Sequence, residues 1–200
     1  MRFEIFKQKV RQSSEAALIA SGKVRAAGVA NQSLIWVSRG CKPLAYQRGH
    51  RAGKGCLYHF FPGGKEEMAD AVLSEIDGWF ENHVFAPLQK ASRPEDAISA
   101  MFDSVDAYFR SGRRVCLVGA LALGDTRDRF ASEVRSYFSR WVDALSGALI
   151  RSKRSSASAR ALAEEVVAGI QGAIVLARAF DDPRAFARAL VRMRNRVAKR

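Results

Sequence analysis

From Lys65 to Met193 the apolar residues recur at three- and four-residue spacing, segment after segment, and this rhythm confines the chain to packed helices. Lys65 to about Phe85 carries Met68, Ala71, Val72, Ile76, Trp79 and Phe80 at helical positions. Ser92-Arg93-Pro94-Glu95-Asp96 reads as a helix start, with a Ser cap, Pro in the first turn and two early carboxylates. Its inward stripe is Ile98, Met101, Phe102, Val105, Tyr108 and Phe109, ended by Ser111-Gly112. A short apolar piece, Val115 to Leu123, stops at Gly124-Asp125. Thr126 then opens a long helix marked by Phe130, Val134, Tyr137, Phe138, Trp141, Leu145 and Leu149. After the Lys153–Ser156 loop, Ala157 to Phe180 presents Leu162, Val166, Gly169, Ile170, Ala173, Ile174 and Ala177. Asp182-Pro183 begins a last helix with Phe186, Leu190 and Met193 inward. No segment alternates with period two for long, so the fold class is all-α.

Residues 1–53 are interrupted by Gly22, Gly28, Gly40, Pro43, Gly49 and Gly53, with short helical pieces expected over Glu15–Ser21 and Asn31–Arg39. At 48% apolar and 26% charged, 200 residues can build a real core, which excludes general disorder. The longest uncharged apolar run, Val115–Gly124, is far short of the ~20 residues of a membrane span. The first apolar pieces are broken by Lys7, Lys9 and Arg11, unlike a signal peptide, and three cysteines are odd for a disulfide framework. A cytoplasmic protein with reduced thiols and no membrane partner is expected.

Charge is unevenly spread. Of a net +13, residues 1–54 hold +9, with 11 basic residues against 2 acidic ones. Such a segment suits phosphates, whose neutralisation releases counterions, although a basic leader touching nothing has the same composition. Arg184, Arg188, Arg192, Arg194, Arg196, Lys199 and Arg200 form a second basic block with no acidic residue within it. Its four-residue spacing reads as a solvated helix stripe, favoured near a helix C-terminus.

The stretch Lys54-Gly55-Cys56-Leu57-Tyr58-His59-Phe60-Phe61-Pro62-Gly63-Gly64-Lys65-Glu66-Glu67-Met68 holds the functional signal. It reads as a short helix with Lys54, Cys56, Tyr58 and His59 free and Leu57, Phe60 and Phe61 buried, then a Pro-Gly-Gly turn and a helix start. A short polar helix fed by a basic segment suits a DNA major groove. Phosphate contacts from Tyr58 and Lys65 would fix register while Cys56 reaches base edges.

This stretch resembles the end of the helix-turn-helix of TetR-type transcriptional regulators, where K-G-S-L-Y-x-H-F-x-x-K-E-E-L recurs. Its Phe-Pro-Gly-Gly-Lys variant is similar to the branch of lincomycin-resistance and flavonoid-responsive repressors. Arg114 to Ala122, Phe138 to Trp141 and Ala168 to Ala173 resemble further landmarks of that branch, so the likeness runs over roughly residues 54–190. The resemblance implies a homodimeric repressor. Residues 1–65 would form a three-helix unit binding a palindromic double-stranded DNA operator, and residues 66–200 a helical ligand-binding and dimerisation domain. Lys54, Cys56, Tyr58, His59 and Lys65 would face the operator. Upstream, Asn31–Gly40 and Lys42–Arg51 copy the family's two supporting helices poorly. The alternative is a helical small-molecule or partner-binding dimer without specific DNA binding.

Other chemistry finds less footing. Cys41, His50, Cys56 and His59 could be drawn as a zinc site, but the spacing is irregular and the motif already employs two of them. Gly63-Gly64-Lys65 lacks the strand and spaced glycines of a phosphate loop. Neither paired carboxylates nor a His-centred constellation stands out, so no enzyme, metal or cofactor is expected. Cys116 sits in an apolar run as core or pocket wall. Among the aromatic stripes, Phe102, Tyr108, Phe138 and Trp141 join Cys116 as candidate walls for a small apolar or aromatic ligand. Tyr108 and Trp141 lead, since each needs a partner for its polar atom. Gly169, Gly172 and Ala173 permit close helix approach, either within the chain or, as the resemblance implies, across a dimer face shared with Phe186 and Leu190.

Overall fold

The computed structural model describes residues 62, 64–124 and 127–199. Two units divide the chain, Met1–Ile76 and Asp77–Arg200; the sequence reading placed a division after residue 65. The described residues are helical, with no strand among them, as the periodicity requires.

Helix α1 spans Gly64–Phe80 and opens on Gly64, whose φ of +74° suits a residue without a side chain. Met68, Ala69, Val72, Leu73, Ile76 and Phe80 form its buried stripe. The helical path does not stop near Phe85 as expected. It widens into a π-helical turn, Glu81–Phe85, in which the Ala86 N–H reaches back to the Glu81 carbonyl, and continues as α2, Ala86–Lys90. Pro87 gives the physical reason: its ring crowds the carbonyl four residues back and it has no N–H to donate, so the preceding turn opens. The wide turn keeps Phe80, Val84, Phe85 and Leu88 all inside.

Helix α3, Pro94–Phe109, begins at Pro94 with Glu95 and Asp96 in its first turn. The expected Ser cap is absent. Arg93 holds the cap position without a side-chain bond, and it pairs with Asp96 at 3.1 Å. A left-handed Arg110 ends α3, and Ser111 and Gly112 continue with positive φ. Helix α4, Leu117–Ala122, is capped by the Cys116 sulfur, which accepts from the Gly119 N–H at 3.3 Å. A 3₁₀ turn, Arg127–Phe130, leads into α5, Ala131–Arg151, later than the Thr126 start read from sequence; Thr126 itself lies outside the described residues. Helix α6, Ser156–Ala179, is capped by the Ser155 hydroxyl, and α7, Pro183–Ala198, by Asp182, whose carboxylate accepts from the Arg184 N–H at 2.9 Å.

Within Asp77–Arg200, α6 packs along α5 on one side and α7 on the other, and α3 lies against both α5 and α7. The cation stripe of α7 is solvated at Arg184, Arg188 and Arg192, as expected. Three of its arginines nonetheless find acids remote in sequence or at the helix start. Arg188 meets Asp182 at 3.1 Å, Arg194 meets Asp103, and Arg196 meets Glu165 at 3.0 Å. From the α5–α6 loop, Arg154 donates to the carbonyls of Val197 and Lys199, closing the C-terminal end of α7.

Gly112 sits where the α3–α4 turn touches α6 and α7. A Cβ there would lie 2.8 Å from both the Ala177 Cβ and the Phe186 Cβ, at a φ of +82°. Overpacking and left-handed strain act together, so Gly112→Ala is expected to cost about 2–4 kcal/mol. A lower urea midpoint at unchanged m-value measures the loss.

Candidate functional site

Several of the aromatic residues picked out by periodicity converge on one ring. Phe80, at the end of α1, has Tyr108 and Tyr137 edge-on with centroids 4.9 Å away, Trp141 at 5.2 Å and Phe85 at 5.9 Å. Trp141 and Phe102 are fully buried. Phe138 and Tyr108 are half-buried. Tyr108 stands at the edge of the cluster, tilted against Trp79 at 4.4 Å, with the Arg114 guanidinium 4.2 Å from its ring centre. Trp79 in turn stacks on His83 at 4.5 Å. Arg140 reaches from α5 to Asp77 and Glu81 while lying 5.1 Å from the Phe85 ring, which ties the wide turn to α5.

Of the expected pocket residues, Cys116, Trp141 and Tyr108 border this cluster. Phe102 is also engaged by the Arg194 guanidinium, 5.6 Å from its centre, toward α7. The sequence reading did not single out Tyr137 or Gln171 as site residues, yet both matter. The Trp141 indole N–H is buried without a hydrogen-bond partner. Tyr137 and Gln171, from α5 and α6, both bear on the Cys116 sulfur, and their hydrogen bonding lowers its thiol's pKa. A lone glutamine on the otherwise apolar inner side of α6 was the available signal, because burying an amide costs free energy unless something meets it.

Burial pushes the Cys116 thiol above its ordinary range, partly offset by the Gly119 N–H and Gln171. Burial also lifts the Tyr137 hydroxyl well above the usual phenol range, with Cys116 and Tyr108 adding to it. Both groups stay protonated near neutrality, which makes Tyr137 a standing donor and Cys116 a poor nucleophile.

A separate surface lies on α6. Gly172, Val175, Leu176, Ala179 and Phe180 share one exposed side, with Val175, Leu176 and Phe180 exposed by 60%, 50% and 68%. Val191 of α7 is 58% exposed. The residues expected on a dimer face divide. Gly172 is exposed, whereas Ala173, Phe186 and Leu190 are buried within the chain, and half-buried Gly169 faces Met193, whose sulfur would meet a Cβ there at 2.7 Å.

Lys54, Cys56, Tyr58 and His59 lie outside the described residues, as do Cys41 and His50; Lys65 falls in the first turn of α1, its side chain outside them. Among the described residues no group of His, Cys, Asp or Glu could hold a metal, and no helix is long and apolar enough to cross a membrane.

Residues 94–190 match the family model described as the C-terminal domain of LmrA/YxaF-like transcriptional regulators. The chain is also similar to two uncharacterized HTH-type transcriptional regulators of Mycobacterium tuberculosis, from strains CDC 1551 / Oshkosh and ATCC 25618 / H37Rv. Each is 28% identical over 137 residues, covering 64% of this chain and 68% of the relative. No solved structure matches. The matched segment runs from α3 into α7, and it bears out the TetR-type resemblance read from the sequence.

The raised thiol has a consequence for stability. Below about pH 8.5 Cys116 is neutral whether the chain is folded or not. Above that, the unfolded chain releases the proton while the folded one holds it, so stability falls as pH rises until the folded value is passed. Urea midpoints between pH 7 and 10 are expected to decline less in Cys116→Ala than in the unaltered chain.

Proposed function

We infer that the chain is a ligand-responsive transcriptional repressor of the TetR type, cytoplasmic and without catalysis, that binds a palindromic operator as a homodimer. The observation that carries this reading is the match of the α3–α7 bundle to a regulator C-terminal domain. In support, the bundle buries the Trp141 indole N–H without a partner inside an aromatic core, and leaves an apolar stripe bare on α6.

In this reading Lys54, Cys56, Tyr58, His59 and Lys65 face DNA, with Tyr58 and Lys65 on phosphates and Cys56 at base edges. The +9 charge of residues 1–54 supplies the salt-sensitive attraction. A small apolar or aromatic ligand occupies the space bordered by Phe102, Tyr108, Cys116, Phe138 and Trp141. Val175, Leu176 and Phe180, beside Gly172, meet their copies across a twofold axis, and Gly169, Ala173, Phe186 and Leu190 support that face from beneath. Two reader heads must then match grooves about 34 Å apart, and a ligand that favours another separation releases the DNA.

Gel shifts on DNA flanking the chain's own gene test this, with binding that weakens steeply with salt. Tyr58→Ala is expected to lower operator affinity at least about tenfold, the loss of a good contact to a charged group. Absence of any complex at low salt points instead to a helical small-molecule or partner-binding dimer. Light scattering is expected to find a dimer of the 22.1 kDa chain, reduced toward monomer by Phe180→Asp.

A further inference from the structure

Away from the Phe80 cluster, a half-open cavity of about 420 Å³ lies where the start of α3 meets the ends of α5 and α7. That volume is within the ~300–1,000 Å³ of small-molecule sites. Its wall residues Ile98 and Leu149 stand about 12–15 Å along their helices from Tyr108 and Trp141. Both are buried, as is Val197, and the three supply an apolar floor. Three charged side chains line the same space: Glu95, Arg154 and Arg194. Arg194 is already matched. It pairs with Asp103, donates to the Ser99 hydroxyl at 3.2 Å and lies 5.6 Å from the Phe102 ring centre. Arg154 directs its bonds to the carbonyls of Val197 and Lys199, and no carboxylate among the described residues pairs with it. Glu95 has no cation partner among the described residues, since the adjacent Arg93 pairs with Asp96. The Ser152 hydroxyl, in the same wall, has no hydrogen-bond partner.

An apolar floor beside one unmatched cation and one unmatched carboxylate is complementary to a guest with the same features reversed in sign. A guest bearing only a carboxylate leaves Glu95 facing a like charge, and one bearing only an ammonium does the same to Arg154. We propose that this cavity binds a zwitterionic amino acid with an apolar side chain. Its carboxylate meets the Arg154 guanidinium, whose planar fork suits two oxygens, and its ammonium meets Glu95. Its side chain rests on Ile98, Leu149 and Val197, and the Ser152 hydroxyl turns to it by rotation about one side-chain bond. Glu95 belongs to α3, while Arg154 follows α5 and holds the end of α7, so an occupant ties three helix ends together. The site is separate from the ligand space proposed above, and it does not depend on the regulator reading.

The test compares L-phenylalanine with 3-phenylpropionate, which lacks the ammonium, and with 2-phenylethylamine, which lacks the carboxylate. Calorimetric titration of the full chain gives the three affinities, and the Arg154 Nε–H and Trp141 indole resonances of the ¹⁵N-labelled protein report where each probe sits. L-Phenylalanine is expected to bind about fivefold tighter than either analogue and to move the Arg154 signal, each analogue having lost one charge-assisted contact at a partly exposed site. Glu95→Gln, at an exposed position of α3, is expected to bring L-phenylalanine down to the level of 3-phenylpropionate without weakening the latter. Equal binding of all three, tighter binding of a single-charge analogue, or binding of none overturns the proposal. So does L-phenylalanine affinity that Glu95→Gln leaves unchanged, or a shift of the Trp141 signal with that of Arg154 in place. The unaltered chain carries the main comparison, and operator binding, read separately by gel shift, decides the regulator reading on its own.

Discussion

Everything else in the bundle is arranged around the side chain of Phe80. Its ring touches aromatic partners from α3 and α5 and one from the wide turn that follows it, so a single residue joins three segments distant in sequence. Edge-on packing of this kind adds roughly 0.5–1.5 kcal/mol per pair to the burial itself. It also fixes orientation, which simple burial does not. The π-helical turn ahead of Pro87 can be understood from the same point. A regular turn with a proline inside would have cost a hydrogen bond and swung Val84 and Phe85 off the inner side, and the wider turn avoids both losses.

Electrostatics in Asp77–Arg200 is a matter of local neutralisation. The arginines of α7 look like an unrelieved cationic tail when read in order, yet Asp103 on α3, Glu165 on α6 and Asp182 at the helix start each take one. These pairs are largely solvent-exposed, and each contributes little to stability. Their effect is to keep the last helix from being a free basic surface, which leaves the N-terminal quarter as the segment whose charge excess has no sequence-local counterweight.

Most of the helical architecture could be read from spacing alone, because Ile98, Met101, Phe102, Val105 and Phe109 repeat as a buried stripe must, and the structure buries every one. Boundaries were less legible. Ser92 has a capping side chain but does not use it, since Pro94 sets the first turn one position later without needing a donor. Periodicity also cannot tell which neighbour a stripe packs against. Ala173, Phe186 and Leu190 have the pattern of a contact face, and that face is satisfied inside the chain, while Val175, Leu176 and Phe180 stay exposed. Gln171 escaped as a site residue for a related reason: nothing in its neighbours' spacing says that its amide will be enclosed beside Cys116. The motif that the family resemblance assigns to DNA is the reverse case, plain in the residues Lys54 to Met68 and carried by sequence.

Gly112 links parts of the chain that a residue-by-residue account would treat separately. Its missing side chain is the space into which Ala177 and Phe186 fit, so the three positions share one fixed volume. Relatives that carry a larger residue at the first position would have to surrender atoms at one of the other two. Sequence drift there is therefore a joint event, and the turn between α3 and α4 evolves in step with two helices that begin more than forty residues downstream.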